Sequence, residues 1–202
     1  ISTLAMTIEQ KSFPDPLSVV TVDTAKSHLR VEHTDDDLLI QGYIEAAYLL
    51  VEKFTGAFLQ ETAVSIYFDE LMEYTNLHVG PNTVVDKVLG DGDQQTHGVS
   101  YVNSGGQRQY LANGDFQFDG VSYPARLRVP DLPTVKDTLN AWRVDLKAGY
   151  TRTNRPEALV SAMLLIIGHL YENRQDVGQF KTHEIPMSSR YLMNPYRLQS
   201  FS

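Results

Sequence analysis

Two side chains near the end of the most apolar stretch, His169 and Glu172, lie three residues apart. On a helix both could reach one metal ion. Helical di-metal sites need several such pairs on facing helices, and no second pair occurs. His169 therefore reads as a semi-buried helix residue and Glu172 as a solvated or ion-paired carboxylate. Asp35-Asp36-Asp37 is a second acidic group. In the first turn of a helix it complements the dipole more simply than it binds a cation. Asp91-Gly92-Asp93 opens like a calcium loop, but its sixth position is Thr96 and its twelfth Val102, where glycine and glutamate are required. A turn fits better. No Gly-x-Ser-x-Gly elbow, phosphate-binding loop or dinucleotide fingerprint occurs. His28, His33, His78, His97 and His183 have no acidic or nucleophilic partner nearby in sequence. No catalytic, metal or cofactor residue is assigned.

The composition is that of an ordinary globular chain: 42% hydrophobic and 21% charged over 202 residues, enough for a sizeable core. This length suits one domain, or one domain with a large insertion. Cysteine is absent, which removes disulfides, thiolate metal sites and cysteine nucleophiles. Seventeen Lys and Arg face twenty-five Asp and Glu, for a net charge of −8. Tight binding to a phosphate backbone needs a basic face, and the scatter Arg143, Lys147, Arg152, Arg155 is too thin to supply one. The first twenty residues hold a lone Lys11 and no apolar run of the secretory kind.

The elements that must carry this chemistry are organised around residues 156–177. Leu159, Met163, Ile166, Leu170 and Val160, Leu164, Ile167, Tyr171 form two rows at helical spacing, a face wide enough for a buried core helix. Asn154 is placed to cap it, Pro156 suits the first turn, and Gly178 marks a stop. A short helix is expected from Thr21 to Val31, with Thr21 as N-cap. A longer one follows, with Thr34 as N-cap, carrying Leu39, Tyr43, Ala46, Ala47, Leu50 and Phe54 and closed by Gly56. From Phe58 to Tyr150 the period becomes two. Strands are expected at 62–68, 83–89, 99–102, 108–111, 115–119, 125–130 and 142–150, with a hairpin turn at Gly105-Gly106. They imply a small antiparallel meander or barrel-like insert. Residues 1–20 read as an extended arm. The tail from Gln179 is rich in aromatic residues and methionine, so it either packs on its own core or docks on a partner.

The order of these elements resembles the head-tail connector (adaptor) proteins of long-tailed bacteriophages. Val20 to Val31, ending His28-Leu29-Arg30-Val31, is followed at once by Asp35-Asp36-Asp37-Leu38-Leu39-Ile40, and the long helix closes Val51-Glu52-Lys53-Phe54-Thr55-Gly56. Lys147-Ala148-Gly149-Tyr150, Gly168-His169-Leu170-Tyr171-Glu172-Asn173-Arg174 and Pro195-Tyr196-Arg197 fit the family's later landmarks. The resemblance covers most of 20–58 and 142–198.

What the resemblance implies is a structural, non-enzymatic virion protein of the neck, made in the bacterial host cytoplasm. It implies a ring, commonly of twelve, with the portal protein on one side and a stopper or tail-completion protein on the other. DNA passes through the lumen without sequence-specific binding, and no membrane is involved. The expected fold is α+β: a helical bundle core with an inserted small antiparallel β subdomain and extended N- and C-terminal arms. The expected organisation is an arm at 1–20, a helical core at 21–58 and 151–178, a β-rich insertion at 59–150 and a docking tail at 179–202. Candidate portal-binding residues are Phe180, Ile185, Met187, Tyr191, Leu192, Met193, Tyr196, Arg197 and Phe201. Two rival readings are a nucleic-acid-binding DNA-packaging component, which the charge opposes, and a metal-dependent hydrolase built on His169 and Glu172.

Overall fold

The computed structural model describes residues 6–10, 12–79, 84–85, 88–89, 95–96, 98–112, 114–174 and 186–198. The chain is α+β and divides into two units, one of residues 14–60 and 150–199, the other of residues 1–13, 61–149 and 200–202.

The first unit is helical. A single 3-10 turn at Pro16–Ser18 precedes α1 (Val22–Leu29) and α2 (Asp37–Thr55), and α3 (Glu157–Glu172) and α4 (Met187–Met193) complete it. Thr21 caps α1 as its sequence predicts, accepting the Thr24 N–H, and Arg30 ends it at φ 57°. Gly56 ends α2 at φ 72°, a left-handed conformation that glycine adopts without steric cost.

Two expected caps are replaced. α2 begins at Asp37, with Asp36 and not Thr34 at the cap position, and Asp36 makes no capping bond because its carboxylate is held elsewhere. α3 begins after Pro156, while Asn154 accepts the Thr151 N–H at 2.7 Å instead of capping the helix. That helix ends at Glu172, where Asn173 returns its side-chain amide to the His169 carbonyl at 2.8 Å. Gly178 lies outside the described residues.

The core of this unit forms where α2 turns Ile40, Ile44, Ala47 and Val51 toward Leu159, Ala162, Met163, Ile166 and Ile167 of α3, all at 2% exposure or less. Each large side chain among these stabilises the fold by about 1.5–3 kcal/mol. Ala25, Leu59 and Met193 close the same cluster.

The second unit is built from antiparallel strands: β1 (Met6–Gln10), β2 (Thr62–Phe68), β3 (Tyr74–Leu77), β4 (Val84–Val85), β5 (Val88–Leu89), β6 (Gln95–Thr96), β7 (Val99–Val102), β8 (Arg108–Tyr110), β9 (Gln117–Asp119), β10 (Ala125–Arg128) and β11 (Trp142–Ala148). One sheet runs β1-β2-β11-β7-β8, with β4 also on β11. A second runs β3-β10-β9, and β5 pairs with β6. β2 and β11 pair along all seven residues, Thr62 opposite Ala148 through Phe68 opposite Trp142. Val64, Ile66, Phe68, Val144 and Leu146 are buried at alternate positions, as a period of two requires.

β1 departs from the extended arm expected at 1–20, since Met6–Gln10 pair in register with Val64–Phe68. The hairpin turn between β7 and β8 falls where expected, with Gly106 at φ 81°.

Candidate functional site

The C-terminal segment is assembled on the helical unit. α4 starts after Pro186, whose carbonyl accepts both the Arg190 N–H at 3.1 Å and the Ser189 hydroxyl at 2.7 Å. Met193 is fully buried in the core, and Leu192 and Tyr196 pack partly buried against it. The segment then reaches the carboxyl end of α2. There the Leu198 N–H donates to the Thr55 carbonyl at 2.7 Å, and the Arg197 guanidinium stacks 5.6 Å from the Phe54 ring centre.

Facing outward are Met187, 72% exposed, Tyr191, 69% exposed, and Arg197. The nine tail residues named from the sequence therefore separate. Leu192, Met193 and Tyr196 belong to the core. Met187, Tyr191 and Arg197 are accessible. Phe180, Ile185 and Phe201 lie outside the described residues.

Three charged arrangements were missed by sequence reasoning. The first ties the amino end of α2 to the carboxyl end of α3. Asp36 accepts the Tyr171 hydroxyl at 2.6 Å and the Arg174 guanidinium at 2.7 Å, while Arg174 stacks 4.3 Å from the Tyr171 ring centre. The Tyr171 hydrogen bond and then the Arg174 guanidinium hold the Asp36 carboxyl below its usual range. Asp37 is taken by Lys26 of α1 at 2.7 Å. Two of the three carboxylates, Asp36 and Asp37, thus tie helices together.

The second arrangement sits in the central strands. Register places Ser65 opposite Asp145, and the buried carboxylate accepts the Ser65 hydroxyl and, at 2.7 and 3.0 Å, the Arg143 guanidinium.

The third is the exposed face of the β3-β10-β9 sheet. Arg128 donates to Glu73 at 3.0 Å and stacks 5.0 Å from the Tyr74 ring centre, and Arg126 pairs with Asp119. A shallow hollow of about 270 Å³ opens here, lined by Tyr74, Phe118 and Leu127 among others. Each arginine is already matched by a carboxylate, so the hollow carries no net cationic character.

None of these assembles a nucleophile, a base and a polarising group. Among the described residues no three His, Asp or Glu side chains converge as a metal site. His169 has its Nδ1 3.3 Å from the Asn173 amide nitrogen and its Nε2 buried in the helical unit.

The outer face of α2 is the remaining feature. Leu38 is 85% exposed and Leu49 64% exposed. Both were legible as apolar residues opposite the buried row, and the amphipathic pattern drew attention away from them.

Against known proteins, this architecture has clear likenesses. Residues 19–91 match the family described as Phage gp6-like head-tail connector protein, so the resemblance seen in the sequence is found independently over α1, α2 and the first strands of the insert. Among solved structures, the fold is shared along nearly its whole length with a chain from the neck of an empty gene transfer agent (GTA) particle, computed with C6 symmetry: TM-score 0.70, 17% identity, 97% of each chain covered. A chain in the virion of a native gene transfer agent particle gives TM-score 0.70 at 17% identity over 96% of this chain and 97% of that chain. One in the neck of a native GTA particle, computed with C12 symmetry, gives 0.67 at 17% identity over 97% of each chain. No curated protein sequence matches the chain. The family match and the shared fold support a structural role of the neck or adaptor kind.

Proposed function

We propose that the chain is a head-tail connector of a phage-like particle. It forms a ring in the neck, commonly of twelve copies, between the portal protein and a stopper or tail-completion protein, and it has no enzymatic activity. The observation that carries this reading is the end-to-end likeness to a neck chain, 97% of both chains, joined to the connector match over residues 19–91. A ring of identical copies uses head-to-tail contacts that close by rotation.

Net charge −8 on each copy makes the ring as a whole acidic. A lumen of that sign repels DNA and favours passage over binding. The portal contact is assigned to the part of the tail led by Phe180, Ile185 and Met187, with Phe201 beyond it. Met187 is the described member of this group that stands free of the core.

The mass of the purified chain, alone and then with its portal protein, tests the reading. A stoichiometric ring, formed alone or on the portal, is the expected result. A chain that stays monomeric and ignores the portal at every concentration would refute it. Met187→Asp, which leaves the buried face of α4 untouched, should weaken portal binding without disturbing the helical unit.

A further inference from the structure

The outward face of α2 exposes two leucines and a glycine among the charges, Glu45 and Lys53, that a surface helix ordinarily carries. Positions 38, 42, 45, 49 and 53 fall on one stripe, opposite the buried row Ile40, Ile44, Ala47 and Val51. Leu38 and Leu49 are 85% and 64% exposed, and between them Gly42 has nothing among the described residues within 4 Å of where a Cβ would stand. No packing among the described residues explains a glycine there, although glycine weakens a helix interior. The exposed carboxylates nearest in sequence to the amino-terminal half of the stripe are Glu32, Asp35 and Glu45, with Arg30 an exposed cation before them.

Two further exposed apolar side chains of the helical unit, Met187 and Tyr191, stand in a segment of opposite character. Between residues 186 and 198 the only charges are Arg190 and Arg197, with no carboxylate. Arg197 is anchored at Phe54, at the far end of α2 from Leu38. A helix of 19 residues is about 28 Å long, so in one copy Leu38 and the cationic end of the tail stand about a helix length apart.

We infer that the Leu38–Gly42 face of α2 docks on the Tyr191–Arg197 face of a second copy of this chain. The two patches differ in residue, carry opposite charge and sit toward opposite ends of the same helix. Such a pair makes a head-to-tail contact that each copy can repeat with the next. Gly42 lets the neighbouring segment approach the α2 backbone closely. The inference rests on the ring reading and assigns the contact within it.

Because the chain contains no cysteine, single introduced cysteines report proximity without background. Leu38→Cys and Tyr191→Cys chains, mixed and oxidised, should form a disulfide-linked heterodimer that neither forms alone. Gly42→Lys points a helix-compatible side chain into open space, so its thermal melting should not fall below wild type. Its self-association should weaken about 30-fold or more, the effect of losing one central contact.

If wild-type rings form while Gly42→Lys rings form equally well and no mixed cross-link appears, the inference is wrong and the ring reading stands. Leu38→Cys chains that link to one another would show a two-fold contact and overturn it. Gly42→Lys rings that lose only the portal would assign the face to the portal and overturn it as well. A wild-type chain that never associates, alone or on its portal, removes both the ring reading and this contact.

Discussion

Tyr171, in the last turn of α3, donates its hydroxyl to Asp36 at the amino end of α2 across 2.6 Å. Residues 135 apart in sequence are joined by this bond, and Arg174 reinforces it from one turn further on. Since these partners lower the Asp36 pKa in the folded chain, the stabilisation is complete above the ordinary carboxylate range and is lost as pH falls through the depressed folded value. Melting temperature against pH should show this. Wild type should decline more steeply than Asp36→Asn below about pH 4 and exceed it at pH 7. Parallel curves would remove the clasp from the account of acid stability.

Glu52 behaves in the opposite sense. Its carboxylate accepts the Leu59 N–H at 2.8 Å, yet burial raises its pKa above the usual value. The charged form is therefore disfavoured on folding, and stability falls as pH rises from the unfolded to the folded pKa. Glu52→Gln keeps an acceptor for Leu59 without the charge. It should melt higher than wild type at pH 7, and the advantage should disappear below the carboxylate range. A variant less stable at pH 7 would show that the charge is needed.

Asp145 lies buried between Ser65 and Arg143. Asp145→Ala would leave both the Ser65 hydroxyl and the Arg143 guanidinium, 22% exposed, without their acceptor, at a cost below the roughly 3–5 kcal/mol of a fully buried pair but above that of losing one donor. Ser65→Ala removes one donor and leaves the ion pair, at a cost of about 1–3 kcal/mol. Denaturant unfolding should rank the two in that order. The reverse order would mean that the hydroxyl, and not the arginine, satisfies the carboxylate.

Met193 is fully buried against the helical core. Met193→Ala should cost about 2–5 kcal/mol by leaving a cavity, whereas Tyr191→Ala, on the exposed side of the same helix, should change stability by less than about 0.5 kcal/mol. Removal of residues 179–202 would uncover this part of the core, so the truncated chain should melt well below wild type. Equal melting would place α4 outside the cooperative unit.

Much of this architecture was legible in local patterns. The two apolar rows of α3, the glycine end of α2, the Thr21 cap and strands β2, β7 and β11 follow from periodicity and turn chemistry acting over a few residues. What was not legible depends on partners far away in the chain. Met6–Gln10 looks like an arm because β1 acquires its meaning only beside β2. Thr34 and Asn154 were placed as caps by local propensity. The first of these lost to a helix that begins at Asp37, where Asp36 is engaged by α3. The second lost to the Thr151 N–H. Half of the tail reads as an interface because its methionines and tyrosines suit one, but only the packed fold separates Met193 from Met187. The outer leucines of α2 are not legible as a face for a related reason: the helical period marks the buried stripe and leaves the opposite one undefined.

At the boundary of the β unit, Thr62 and Ala148 are paired across β2 and β11, and in the helical unit the Tyr150 N–H donates to the Phe58 carbonyl at 3.1 Å. The strands by which the chain leaves and returns are thus joined side by side at their base. Such a geometry makes the intervening 90 or so residues, with β1 paired along their first strand, a cassette. A short turn spliced between Gln60 and Tyr150 would close the gap without stretching a helix, and a foreign domain whose ends lie close together could be carried on the same stem. The protein could thereby change what this stem displays while keeping its helices.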